Sequence, residues 1–225
     1  MPEEKQLNLT EQTIELITKS KKEIEKKQLS DGLERIVFFG FASLALVLLS
    51  FTNLITGFFL FIILFGIIGA MRSWTKELLV SFGVILSIAF NYMVRRYIPA
   101  VYSLPVSDIS LFWIRSIITI TVVLFSYQSI RANNTLSRKT LKEKLEDSLF
   151  GAVMGGINGY LIIGSLWAYL NEALYPFSKT FATPSADIAS KIYEMMAWMP
   201  PYTLGEPGIY IAVIITFVFV IVVFR

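Results

Sequence analysis

The run Ile36–Met71, IVFFGFASLALVLLSFTNLITGFFLFIILFGIIGAM, holds no charged residue and is interrupted mainly at Thr52, Asn53 and Gly57. Crossing the hydrocarbon of a bilayer takes roughly 20 apolar residues. One straight helix over the whole run would reach about 54 Å at 1.5 Å per residue, well beyond the hydrocarbon thickness. The run therefore reads as two spans, 36–52 and 54–71, turning at Thr52 and Asn53. A re-entrant or partly interfacial first segment is the alternative.

The rest of the chain repeats the theme. Apolar blocks follow at 77–94 (ended by Arg95, Arg96 and Pro99), 109–127, 148–170 and 208–224. Of the 225 residues, 55% are hydrophobic and 16% charged. Soluble domains hold about 45–50% apolar and about 25% charged residues, so a water-soluble core could not hide this surface. The expected fold is an all-α membrane protein of about six transmembrane helices with amphipathic interfacial helices. A charged segment, 1–35, precedes a transmembrane domain, 36–225.

Orientation follows from the basic residues, which concentrate on the cytoplasmic side of membrane proteins. With the N-terminus inside, fifteen of the 20 Lys and Arg are cytoplasmic, in 1–35, at Arg72 and Lys76, in 128–147 and at Arg225. Arg95, Arg96, Lys179 and Lys191 fall outside, and Arg115 lies within a span. Both termini are then cytoplasmic. The charged stretch before Ile36 is too long for a removable signal peptide, which makes 36–52 an uncleaved anchor.

Three polar segments carry their own patterns. In 1–35, Asn8 and Glu11 have capping-box spacing, and Lys19, Lys21, Lys22, Lys26 and Lys27 form either a solvated helix face or a contact for anionic lipid. In 128–147, Ser137 is a cap, and Leu141, Leu145 and Leu149 recur every four residues, predicting an amphipathic helix that runs into span 148–170. Between Pro176 and Pro207, Ser185 starts a helix whose Ile188, Ile192, Met195, Met196 and Met199 share one face. This helix either packs on the spans and headgroups or gates a cavity.

The chain has neither cysteine nor histidine. That removes thiolate and imidazole nucleophiles, bases and metal ligands. Its aspartates, Asp31, Asp108, Asp147 and Asp187, lie at span ends or outside, so no intramembrane aspartate pair forms. No catalytic residue, metal site or cofactor is expected. The net charge of +3 is small for this length, and no nucleic-acid partner is expected.

Gly151, Gly155 and Gly159 stand four apart and stripe one helix face. Small residues let a second helix approach closely, which replaces the missing hydrophobic drive between helices in lipid. Close packing within the chain is the first expectation, and an oligomer contact through the same face or a pore-facing crease the second. No strand precedes these glycines, which excludes a nucleotide-binding loop. Arg72, Lys76, Glu77 and Asp147 are expected to form an interfacial charge cluster that fixes the spans, with a proton relay as the alternative. Asn91, Arg115 and Asn158 are the candidate intramembrane polar path, because ionisable and polar groups in spans are expensive. Arg115 either snorkels outward or meets Glu172, Asn158 or Asn91 at similar depth.

The stretch Asp147–Ser–Leu–Phe–Gly151–Ala–Val–Met–Gly155–Gly156–Ile–Asn158–Gly159 resembles a hallmark of the colicin V production protein (CvpA) family of bacterial inner-membrane proteins. Upstream, Gly69–Ala–Met–Arg72–Ser73–Trp74–Thr–Lys76–Glu77–Leu78 resembles the other, and Met199–Pro200–Pro201 is a further likeness. Ser73 stands where the family has glycine, and Asn158 where it has arginine. The resemblance covers roughly 53–201. It implies a bacterial inner-membrane, multi-pass, non-enzymatic protein acting in toxin production or export, or in envelope homeostasis. Its expected partners are the lipid bilayer, further copies of itself and a cytoplasmic or envelope protein. Two other readings stand beside it: a small channel or transporter with a polar path near Arg115 and Asn158, and a structural membrane adaptor.

Overall fold

A computed structural model describes residues 15–24, 40, 42–47, 54–72, 74–129, 141–177 and 186–224. Eight helices run in order from residue 54: α1 (Leu54–Met71), α2 (Trp74–Tyr97), α3 (Pro99–Tyr102), α4 (Ile109–Ser129), α5 (Leu141–Glu172), α6 (Ala186–Met196), α7 (Pro200–Thr203) and α8 (Gly208–Phe224). Residues 15–24 and 42–47 are also helical, and no strand occurs among the described residues. The chain divides into two units, 1–45 and 46–225. In the first, helix 15–24 is exposed throughout, including Leu16, Ile17 and Ile24.

Four helices are long and apolar enough to cross a membrane: α1, α2, α4 and α5. Six spans were expected. The sixth, 208–224, forms an apolar helix of 17 residues. The first, 36–52, lies outside the described residues apart from helical 40 and 42–47. Also outside are the expected caps at Asn8, Ser137 and Ser185, and 130–140 of the amphipathic segment. From residue 141 that segment and the span are one helix of 32 residues.

The helix ends follow local chemistry. At α4, the Asp108 carboxylate accepts from Ser110 N at 2.7 Å, satisfying a backbone donor of the first turn. Pro99 and Pro200 open α3 and α7 at the first position, where the missing N–H would be unpaired anyway. At the end of α5, Leu174 N bonds Asn171 O at 3.0 Å and Tyr175 N bonds Leu170 O at 3.1 Å. This is the Schellman pattern, which usually places glycine at the left-handed residue. Here Leu174 and Tyr175 have φ of 57° and 53°. The Tyr175 ring is buried, and its hydroxyl accepts from Trp167 Nε1 at 3.2 Å and donates to Asn171 Oδ1 at 3.1 Å, anchoring the turn. Burial pushes this phenol above its usual pKa, so it stays a neutral donor.

The helices α2 and α5 form the centre. In α2, 61% of the apolar window is buried, against 22% in α1 and in α4. Val84, Ile88, Val123, Leu161, Ile162 and Ile209 make a shared core between α2, α4, α5 and α8. Across α5 lies α1, antiparallel to it and packed by glycine. A Cβ on Gly155 would fall 2.3 Å from Phe65 O, one on Gly151 2.3 Å from Gly69 O, and one on Gly159 2.8 Å from Phe65 Cβ. Beyond Gly159 the contact turns aromatic, with Phe58 against Tyr160 and Trp167 at ring separations of 6.4 and 5.2 Å. The amphipathic helix α6 closes this end, burying Ile192 and Met196, with Met199 just before α7, against Phe58, Trp167 and Tyr175.

The glycine stripe is therefore the seat of α1 of the same chain. An oligomer contact through that face has no room, because backbone already occupies it.

Three outcomes follow. Gly155→Leu must displace α1 backbone and should lower stability by about 3 kcal/mol or more, read as the thermal midpoint in detergent. Neighbouring Gly156, whose added Cβ meets only the Ile62 side chain at 3.9 Å, should tolerate alanine. Leu174→Gly should stabilise by about 1 kcal/mol, since Leu174 is 72% exposed and loses little packing. A lower midpoint would mean the leucine side chain, rather than its backbone, matters there.

Candidate functional site: two buried polar clusters on the central helices

Along α2, positions 77, 81, 84, 88, 91 and 95 fall on one face by helical spacing. The middle of this stripe is apolar. Its two ends carry polar groups, each of which meets partners from other helices.

The first cluster centres on Glu77, which is fully buried. Its Oε1 pairs with Arg72 Nη1 at 3.0 Å, an ionic contact without hydrogen-bond alignment. Its Oε2 accepts from Asn158 Nδ2 at 2.9 Å and from the Tyr127 hydroxyl at 3.4 Å. Asn158 Nδ2 also donates to Glu77 O at 2.9 Å, and Asn158 Oδ1 accepts from Ser81 at 2.6 Å. Both amide protons and the amide oxygen of Asn158 are thus used. The Arg72 guanidinium lies over the Tyr127 ring, 4.4 Å from its centroid, adding a cation–π contact.

Asp147 and Ser148, at the start of the span in α5, hold the turn between α1 and α2. Asp147 Oδ1 accepts from Trp74 N at 3.1 Å, so a carboxylate from another helix caps α2. A negative group at a helix N-terminus is also favoured by the helix dipole. Ser148 donates to Ala70 O at 2.8 Å, serving an orphan carbonyl at the end of α1. Lys76 stands half-buried on the same first turn.

The second cluster lies toward the other end. Asn91 Nδ2 donates to Thr119 Oγ1 at 3.1 Å and contacts the Tyr169 hydroxyl and Arg115 O at 3.4 Å each. Arg115 forms an ion pair with Glu172 and lies over the Tyr169 ring at 5.2 Å. Tyr202, in α7, donates to Glu172 Oε1 at 2.9 Å. Burial, followed by the Glu172 charge, pushes the Tyr202 phenol above its usual pKa, so it remains protonated as that donor. Nearby, Arg96 pairs with Glu206 at 3.0 Å, tying α2 to the start of α8.

The residues expected to line one polar path therefore divide. Asn158 belongs with Glu77. Asn91 and Arg115 belong with Glu172. Fourteen residues, about 21 Å of axis, separate Glu77 from Asn91 on α2. Val84, Ile88, Val123, Leu161 and Ile162 fill the interval. Of the charge cluster, Arg72 and Glu77 meet directly, whereas Asp147 acts on backbone. Arg115 finds Glu172 instead of snorkelling. Ser81, Thr119, Tyr127 and Tyr169 escaped sequence reasoning, because hydroxyl residues are common in spans. Only Ser81 carried a signal, the α2 stripe, which places it in register between Glu77 and the apolar layer.

Among the described residues no group of three or more His, Cys, Asp or Glu stands ready to hold a metal. No model of a known protein family, no functionally characterised protein and no solved structure matches the chain.

Removing one partner of a buried ion pair strands the other, at a cost of about 3–5 kcal/mol. Glu77→Leu and Arg72→Met should each destabilise strongly, while the double variant recovers at least about 1 kcal/mol of the summed loss. Unfolding of the four proteins in one detergent gives this coupling. Strict additivity would show that the pair contributes nothing as a pair.

Proposed function

We infer that the chain is a non-enzymatic integral protein of a bacterial inner membrane, of the colicin V production type, acting in toxin production or export or in envelope homeostasis. In this reading it crosses the bilayer six times, with 36–52 and 208–224 joining the four long helices and both termini cytoplasmic. The 17 residues of α8 are at the short end of what spans a bilayer. The Asp147 end, where Arg72 and Lys76 lie, is then the cytoplasmic end.

One observation carries the non-catalytic, non-conducting part of this reading. Glu77 with Arg72, Asn158 and Ser81, and Arg115 with Glu172, are spent on one another, in two clusters with an apolar layer between them. A conducting path would need polar groups that face water along its length. The ion pairs instead join α2 to the hairpin turn and α4 to α5, which suits a rigid membrane component that works through partners. Further copies of the chain would meet it on a face other than the glycine stripe, and a cytoplasmic or envelope protein would meet the loops.

A channel or transporter is the second reading. It is favoured by Asn91 Oδ1 and Arg95 Nη1, one helical turn apart on α2 and buried without hydrogen-bond partners among the described residues. Reconstituted full-length protein in liposomes separates the two. Ion and dye flux should stay at the level of empty vesicles across concentration gradients and applied voltage. Flux above that level, lost in Arg115→Ala, would overturn the non-conducting reading and place transport at the Arg115 cluster.

A further inference from the structure

Both α1 and α4 lean on α5, yet they make little contact with each other. Between them lies a cavity of about 580 Å³, lined from Leu54 to Phe61 of α1, Phe112 to Ile120 of α4 and Ile163 to Leu170 of α5, with Phe177 beside it. That volume is within the usual range for small-molecule sites, roughly 300–1,000 Å³. It lies at the Glu172 end and reaches about 10–12 Å along the helices. Neither polar cluster takes part in it.

Two features of the lining define what would fit. The first is its aromatic, charge-free wall. Phe112 and Trp113 pack edge-on against Phe177, each at 5.7 Å, and Phe58 meets Trp167 across the floor at 5.2 Å. Such walls favour a flat, neutral ring, which stacks or meets ring edges. The second is Ser116. Its side chain is buried at 3% exposure, it lines the cavity, and its hydroxyl has no hydrogen-bond partner among the described residues. Serines in membrane helices ordinarily return their proton to the carbonyl four residues back. Ser126 and Ser165 do so here, to Val122 O and Leu161 O, and the Ser81 hydroxyl donates to Asn158 Oδ1 instead. Ser116 does not, which leaves one O–H donor in an otherwise apolar chamber, the usual arrangement for orienting a ligand.

The geometry points to a lipophilic ligand site of prenyl-quinone chemistry: a neutral planar ring bearing carbonyl oxygens, with a hydrocarbon chain leading back into the bilayer. The ring lies between Phe112, Trp113, Trp167 and Phe177. Ser116 donates to one carbonyl. The chain leaves between α1 and α4. Only binding is assigned, and it does not depend on the function inferred above.

Two of the chain's 4 tryptophans, Trp113 and Trp167, line the cavity, so decylubiquinone titrated into the full-length protein in detergent reports on the site by quenching. Quenching should saturate, and its saturable part should vanish in the paired Trp113→Phe and Trp167→Phe variant. Ser116→Ala should bind about three- to tenfold more weakly, the loss of one neutral hydrogen bond, with its thermal midpoint unchanged. Ser116→Thr, which keeps the hydroxyl, should retain affinity, so a folding defect in the alanine variant would not hide the result. Decylbenzene, which has a ring and chain but no carbonyl, should bind wild type and Ser116→Ala alike. Linear quenching that is the same in wild type and Ser116→Ala would overturn the proposal. So would quenching by a brominated phosphatidylcholine that the quinone cannot displace, since the cavity would then hold only bilayer acyl chains.

Discussion

Along the α1–α5 contact, backbone meets backbone. Phe65 O lies where a Cβ on Gly155 would have to sit, and Gly69 and Gly151 each leave no space for a Cβ of the other. In lipid the tails around a helix are as apolar as its own side chains, so burial of apolar surface gives helices no reason to associate. Close dispersion contact over a long surface has to supply it. The stripe provides that contact over about two turns, and the rest of the bundle is referenced to it. It sets the antiparallel register of α1 on α5. It brings the turn after α1 beneath Asp147 and Ser148. It also fixes where Arg72 enters the bundle, and with it the partner of Glu77.

The two polar clusters extend the same logic to charge. A carboxylate or guanidinium within a span is costly unless it is paired. Glu77 has Arg72, Asn158 and Tyr127; Arg115 has Glu172 and the face of Tyr169. Each cluster joins at least two helices, and each lies within a few turns of a helix end. Polar groups there act as register pins, since a shift of one residue would separate donors from acceptors. The apolar middle, by contrast, would tolerate small slips. The cavity between α1 and α4 is a consequence of this plan: both helices are held by α5, and among the described residues they make little contact with each other.

The sequence by itself determined the class of the molecule and the position of its long helices. Uninterrupted apolar runs of about 20 residues have few other fates, and 54–71, 109–127 and 148–170 each fall within a single described helix. The span read as 77–94 belongs to a helix running from Trp74 to Tyr97, because Arg95 and Arg96 are compatible with helix and only Pro99 ends it. The spacing of Gly151, Gly155 and Gly159 announced a close helix contact, since small residues four apart make a groove whatever fills it.

What filled the groove was decided only by the tertiary structure, because a groove accepts a helix from the same chain or from another copy equally well. The same holds for the polar residues. Asn91, Arg115 and Asn158 are similar in kind and depth when read along the chain, and one path through all three was a fair expectation. Their division depends on which residues of α2, α4 and α5 come opposite, and a helical period fixes a residue's face but not its neighbour across the interface. The unpaired hydroxyl of Ser116 was silent for the same reason. Nothing in its own helix distinguishes it from Ser126, and only the gap left between α1 and α4 gives it a chamber to face.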